Sequence, residues 1–161
     1  MKKAIIGFLV GGVIGGLAGF AVGIFVYPYI FLADIVAAEQ VKNIAKKRVV
    51  ARGEFIHANP RDPIHYGRGQ VTVYDDVVHL GEDFTVGPGP AFHVYLVRQR
   101  TVTPDTKVAK TMFVDLGRLR AFKGSQVYPI PAGVDLNNYG SIVIWCKQFG
   151  VLISPAALSF L

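Results

Sequence analysis

The sequence contains only one cysteine, Cys146, among 161 residues. An intrachain disulfide is therefore excluded, as are Cys-x-x-Cys metal sites and the Cys-x-x-Cys-His attachment of haem. The four histidines, His57, His65, His79 and His93, lack the spacing that lets one element present two metal ligands. The sequence predicts no metal site and no cofactor, although His57 and His65 are close enough along the chain to converge across a loop.

Motifs of the common catalytic sites are also missing. The sequence has no Gly-x-Ser-x-Gly elbow, no phosphate-binding P-loop and no dinucleotide-binding fingerprint. Two adjacent acidic pairs, Asp75-Asp76 and Glu82-Asp83, indicate polar turns, because neighbouring side chains on a strand point to opposite faces. We therefore expect a protein that is not an enzyme.

No charged residue occurs between Lys3 and Asp34. A helix needs about 20 apolar residues to cross the hydrocarbon core of a bilayer, and this run exceeds that length. A secretory signal peptide is the alternative, because Lys2 and Lys3 precede the run. However, signal peptides have apolar cores of about 7 to 15 residues, and no small-x-small cleavage site follows at the right distance. The sequence thus predicts a transmembrane helix in residues 1–33.

Glycine recurs at every fourth position of this predicted helix. The five positions are Gly7, Gly11, Gly15, Gly19 and Gly23. Hydrophobic attraction between helices is weak in lipid, so close backbone contact through small-xxx-small patterns drives their association. Glycine is also common in membrane helices without partners. Five glycines in register nevertheless favour packing, so the expected partners are membrane lipid and other transmembrane helices of a larger complex.

A basic segment, residues 34–48, follows the apolar run. Its apolar residues recur on one side of a helix, which predicts a juxtamembrane helix; a solvated linker is the alternative. The apolar positions are Ile35, Ala38, Val41, Ala45 and Val49. Cationic side chains on the other side suit anionic lipid headgroups, so we expect them at the membrane surface. They are Lys42, Lys46, Lys47 and Arg48.

The formal charge of +6 does not indicate a nucleic-acid partner. Residues 49–161 hold eleven Lys and Arg against nine Asp and Glu, without a basic patch interleaved with aromatic residues.

The charges near the predicted transmembrane helix give conflicting indications of its orientation in the membrane. The positive-inside rule, applied to the basic residues after the helix, places the domain in the cytoplasm. A short basic leader before a long apolar run is instead typical of a signal-anchor, whose downstream domain is translocated.

Residues 49–161 predict a β domain. Residues 70–74 alternate in polarity, while residues 91–98 and 141–149 are rich in β-branched and aromatic residues. Turn signals separate these runs at Asn59-Pro60, at Gly87 to Pro90 and at Pro129 to Gly133. This spacing predicts a mainly β fold, an antiparallel β-sandwich or barrel-like domain behind one N-terminal transmembrane helix.

Two strand motifs in this domain are specific enough to indicate a family. They are Gly89-Pro90-x-Phe92-x-Val94-Tyr95-Leu96 and Ser141-Ile142-Val143-Ile144-Trp145-Cys146. Together with Leu116-Gly117-x-Leu119 and Gly124-x-Gln126-x-Tyr128, they make residues 49–161 similar to the electron-transfer DM-thirteen domain. The resemblance implies an extracytoplasmic β module with redox chemistry at a near-constant cysteine, which Cys146 matches. Ala91 departs from the family, which often carries an acidic residue there. The N-terminal helix lies outside the resemblance.

Cys146 has two interpretations. Strand alternation places it on one face with Ile142 and Ile144, where a free cysteine is usually a small buried hydrophobic residue. A redox-active thiol needs partial exposure and a neighbour that lowers its pKa, yet Lys147 points to the opposite face. The residues themselves favour burial, whereas the resemblance favours redox activity.

Three functions follow from these observations. The predicted one is a non-catalytic, single-pass accessory subunit that helps assemble or stabilise a membrane complex, such as a photosynthetic or respiratory electron-transfer complex. It would lie in the inner (cytoplasmic) membrane with its β domain on the periplasmic or extracellular side. The alternative is an extracytoplasmic redox module acting through Cys146. A small-ligand binding module is the third, but no residue indicates a ligand.

Overall fold

The computed structural model describes residues 2–161, so Met1 of the predicted helix lies outside the described residues. The chain begins with α1 (Lys2–Tyr27), which continues into a π-helical turn, Pro28–Leu32. This run is long and apolar enough to cross a membrane, and its most apolar stretch is not covered by any other described part of the chain. The protein is therefore mainly β with one apolar N-terminal helix, which has the properties of a membrane anchor or a signal sequence.

Eleven strands follow the helix in the described chain. They are β1 (Val36–Ala38), β2 (Val49–Phe55), β3 (Gly67–Tyr74), β4 (Val77–Leu80), β5 (Thr85–Val86), β6 (Phe92–Val97), β7 (Phe113–Arg118), β8 (Lys123–Pro129), β9 (Ser141–Cys146), β10 (Val151–Ala157) and β11 (Ser159–Phe160). Short 3-10 turns lie at Ile44–Lys46, Val108–Lys110 and Leu136–Asn138. The strand order is β1-β8-β4-β3-β2-β10-β9-β6-β7, with β11 beside β2 and β5 beside β3 and β8.

The sheet curls around one apolar core. Tyr128 of β8, Val71 of β3 and Leu96 of β6 belong to a single buried cluster, although β8 and β6 lie near opposite ends of the sheet order. A second cluster covers the outer face of β6, β9 and β10, where residues such as Tyr95 and Trp145 pack under the loop after β6. The predicted mainly β class is confirmed. The sheet is mixed rather than purely antiparallel, because β1 runs parallel to β8.

The helix predicted over residues 34–48 does not form, and its first part is β1. Val36 to Ala38 pair with Lys123 to Ser125. The backbone N–H of Glu39 donates to the carbonyl of Ser125 at 3.0 Å, and the Ser125 hydroxyl donates to the carbonyl of Glu39 at 2.8 Å. Pairing with β8 therefore satisfies the backbone groups that a helix would have used, and tertiary context overrides the local helical period.

Glu39 fixes this segment further. Arg120 binds its carboxylate through two nitrogens, at 2.6 and 2.5 Å, and the backbone N–H of Val127 donates to it at 2.9 Å. Burial alone would raise the pKa of Glu39, but these bonds lower it below its usual range. The part of the segment after Glu39 forms a loop with one 3-10 turn, Ile44–Lys46.

The predicted strands are largely confirmed. Residues 70–74 lie within β3, and residues 91–98 contain β6. The run 141–149 is too long, because β9 ends at Cys146 and the chain then turns through residues 147–150. Gly150 completes that turn at φ +65°, a conformation that glycine adopts without strain.

The helix joins the domain at one end of the sheet. Pro28 is buried and Leu32 packs against the main core. We call the surrounding surface the helix-proximal end; it comprises the loop 87–91, residues 118–122 and the turn 147–150. The opposite, helix-distal end comprises the turn 75–76, the start of β2 and β11. The eight residues of β3 separate the two ends by about 25 Å.

Gly124 tests the pairing of β1. Its φ is +85°, and an added Cβ would collide with the Ala37 carbonyl oxygen. Gly133 has the same φ with open space around it, so Gly133→Ala should cost only the left-handed penalty of about 1 to 2 kcal/mol. Gly124→Ala should cost clearly more, because β1 must move away from β8. Urea unfolding of the full chain in detergent measures both, and equal costs would show that β1 does not pack there.

Candidate functional site

Cys146 is the last residue of β9, at the helix-proximal end. It lies opposite Phe92 of β6 and Val151 of β10, and only 2% of its surface is exposed. Its side chain belongs to the main core together with Ile142 and Ile144, as strand alternation predicts. Sequence and structure therefore agree on the face that carries the thiol.

Two loops enclose the thiol. The sulfur lies 3.3 Å from the carbonyl oxygen of Pro90, to which the S–H donates, and it accepts from the backbone N–H groups of Gln148 and Phe149. The backbone N–H of Lys147 donates to the carbonyl of Ala91 at 3.1 Å. The turn 147–150 is thus bound to the loop 87–91, and the thiol is closed from solvent between them.

The charge state of Cys146 follows from two opposing effects. Burial raises the pKa of the thiol, because an apolar surrounding disfavours the thiolate. The N–H groups of Phe149 and Gln148 act in the opposite direction but do not offset burial. Cys146 is therefore a neutral thiol at neutral pH, and a neutral thiol is a poor nucleophile and metal ligand.

Ala91 adopts an unusual backbone conformation beside this thiol. Its φ is +50°, in the left-handed region that residues other than glycine rarely enter. Aspartate and asparagine tolerate this region better than alanine, because their short polar side chains bond locally to the backbone. This gives a physical reason for the acidic residue that the resemblance implies at position 91, and it places backbone strain next to Cys146.

A charged cluster that the sequence did not predict lies on the outer face of the same strands. Asp115 of β7 accepts from His93 Nδ1 at 2.9 Å, from Lys147 Nζ at 3.2 Å and from the backbone N–H of Gly117 at 3.0 Å. Burial alone would raise the pKa of Asp115, but these bonds lower it. Lys147 is therefore committed to a carboxylate and does not activate Cys146. Strand alternation in the sequence could have placed His93 and Lys147 on the outer face of the sheet. The contact of Asp115 with them depends on the register of β6 and β7, which the sequence does not show.

His57 and His65 both form a hydrogen bond with Asp62, which lies between them in the sequence. His57 Nε2 lies 2.7 Å from the backbone carbonyl of Asp62, and His65 Nδ1 lies 2.6 Å from its carboxylate. The hydrogen bond from the His65 ring, together with those from the backbone N–H groups of Ile64 and His65, lowers the pKa of Asp62 to about 2. Within residues 2–161, no group of three or more His, Cys, Asp or Glu side chains is arranged to hold a metal ion.

The four cationic residues expected at the membrane surface lie away from the helix. Lys47 forms an ion pair with Asp76 in the helix-distal turn, and Arg48 directly precedes Val49, which pairs with Tyr74. Lys42 and Lys46 belong to the same loop. Lys47 and Arg48 thus lie toward the helix-distal end, and contact of the four residues with lipid headgroups stays a prediction.

The glycines of α1 are all accessible. An added Cβ at Gly7, Gly11, Gly15, Gly19 or Gly23 would meet no described atom within 4 Å. The backbone along this stripe is therefore open to close approach by another helix.

Comparison with protein families gives one match. The model of the family described as Electron transfer DM13 matches residues 61–158, which contain β3 to β10 and Cys146. Comparison with curated proteins and with solved structures found no match. The matched range leaves out α1, as the resemblance predicts. It also leaves out β2, although β2 pairs with β3 and β10 and is structurally part of the domain.

Alkylation tests the closed thiol. Cys146 should react with a maleimide at neutral pH about 100-fold more slowly than an exposed cysteine, the factor given by a local opening free energy of about 2.7 kcal/mol. The control is the double variant Cys146→Ala, Lys147→Cys, which carries its cysteine on the exposed neighbouring residue. Mass spectrometry of timed samples gives both rates, and unfolding in urea should equalise them. Similar rates in the folded proteins would refute the closed site and support a reactive thiol.

Proposed function

The chain belongs to the electron-transfer DM13 family, and we propose that it is a non-catalytic, membrane-anchored accessory subunit of a membrane complex that handles electrons. Family membership indicates a redox or electron-transfer role. The proposal assigns contact with the complex to α1, because the thiol is closed whereas the helix is open. In this assignment α1 is a retained anchor rather than a cleaved signal sequence.

The glycine stripe is the observation that carries the proposal. From Gly7 to Gly23 every fourth residue lacks a side chain, and no described part of the chain covers these positions. In a bilayer, a partner helix packed on this stripe gains dispersion contacts along about four helical turns. Among the described residues, none of α1 belongs to the domain core, and only Leu32 of the π-helical turn packs against it from this region.

A redox module acting through Cys146 is the second candidate. It is favoured by the two backbone N–H groups that reach the sulfur, since hydrogen bonds of this kind stabilise a thiolate. In the closed structure burial prevails, so redox activity requires the turn 147–150 to move away from the loop 87–91. Rapid alkylation of native Cys146 would favour this candidate over the accessory subunit.

The proposed location is the inner (cytoplasmic) membrane, with the β domain on the periplasmic or extracellular side. The family resemblance and the short basic leader, Lys2 and Lys3, support this orientation. Protease added to intact spheroplasts should remove the domain. Cleavage only after lysis would mean that the positive charges after the helix determine a cytoplasmic orientation.

Substitutions in the stripe test the accessory role. Changing Gly11, Gly15 and Gly19 to Leu should preserve insertion, because Leu is more apolar, but should block close helix contact. Proteins that co-purify with the wild type from native membranes should then be lost. The matched control is Val13→Phe with Leu17→Phe, which adds bulk to the opposite face of α1 and should leave the partners bound. If the glycine variant keeps its partners, α1 is not the assembly element.

A further inference from the structure

We infer that the cleft between α1 and the β domain binds one anionic phospholipid, whose phosphate is held by Arg118. This inference rests on the proposed membrane anchor but not on the proposed accessory role. We call the space the helix–domain groove. Its volume is about 580 Å³, and its walls include Phe20, Gly23 and Ile24 of α1 and Gly89 and Pro90 of the domain. That volume lies within the range of about 300 to 1,000 Å³ typical of small-molecule sites.

Arg118 is the basic residue of the groove. It is the last residue of β7 and is exposed, and among residues 2–161 its guanidinium forms no ion pair. Arg120, two residues later, is by contrast bound by the carboxylate of Glu39 and lies over the ring of Tyr128. The guanidinium of Arg118 is thus an available cation at the mouth of an apolar space.

A smaller cavity of about 290 Å³ lies beside the groove, at the helix-proximal end of the domain. The two spaces share Leu32, Gly89 and Arg118. Phe92 and Phe122, which meet edge to face with ring centres 5.9 Å apart, line the inner one. Arg118 therefore borders both spaces, and the apolar lining of the groove suits a ligand that has an apolar body as well as an anionic head.

The position of the groove identifies the source of such a ligand. With α1 across the bilayer, Phe20 and Ile24 lie on the hydrocarbon side of Tyr27, whereas Arg118 lies at the level of the headgroups. Aromatic residues such as Tyr27 are typical of that boundary. An acyl chain can lie along Phe20, Gly23 and Ile24, while the planar guanidinium of Arg118 binds phosphate oxygens through two parallel hydrogen bonds. The charge of Arg118 favours an anionic headgroup over a zwitterionic one, because the cation of the zwitterionic headgroup lies near the same phosphate and repels the guanidinium.

Native mass spectrometry of the full chain tests this inference. Protein stripped of lipid in detergent is titrated with phosphatidylglycerol or phosphatidylcholine. The wild type should bind one phosphatidylglycerol about tenfold more tightly than phosphatidylcholine, because both lipids carry the phosphate but choline adds a cation that the guanidinium repels. Arg118→Gln should abolish that preference while circular dichroism stays unchanged. The control Arg98→Gln removes an exposed arginine from the helix-distal side and should keep the preference.

Two results would overturn the inference: equal binding of the two lipids by the wild type, or an unchanged preference in Arg118→Gln. Inorganic phosphate provides a further arm. If phosphate alone competes with phosphatidylglycerol at equal concentration, the site recognises a soluble anion and not a lipid. Co-purification of partners by Arg118→Gln separates this inference from the accessory role, because partners should be retained even when the lipid preference is lost.

Discussion

The segment that connects the apolar helix to the sheet is very short. Leu32 still packs in the domain core, and Val36 already pairs with Lys123, so only residues 33–35 connect the two. This junction decides which end of the domain lies beside the helix. If α1 is a membrane anchor, the loop 87–91, Arg118 and the Cys146 turn face the bilayer. The basic loop before β2 is held about one strand length away.

The closed thiol is the second consequence of the architecture. Cys146 is the last residue of a central strand, and its side chain points into the core. The turn that follows brings two N–H groups back to the sulfur. Burial therefore destabilises the thiolate while the two N–H groups stabilise it, and the effect of burial is larger. Movement of the loop 87–91 away from the turn 147–150 would admit water to the sulfur and leave these N–H groups in place, so it would reduce the cost of burial.

The sequence predicted the features that depend on residues close to one another along the chain. The uncharged apolar run predicted the helix α1. Because the side-chain period of a strand is two, alternation also correctly placed Ile142, Ile144 and Cys146 on one face. Features that depend on distant pairing were not accessible. Residues 34–48 have a helical period, yet Val36 finds its partner at Lys123, far along the chain. Likewise, the contact between His93 and Asp115 depends on the register of β6 and β7, which no single strand specifies.

If α1 is a membrane anchor, it holds the Cys146 end of the domain against the membrane. Trp145, the only tryptophan, lies at that end and reports on it directly. With the full chain in vesicles that carry dansyl-labelled headgroups, energy transfer from Trp145 should be strong. The variant Trp145→Phe, Phe160→Trp moves the donor to β11 at the helix-distal end, and its transfer should be clearly weaker. Equal transfer from both donors, or stronger transfer from position 160, would contradict the account.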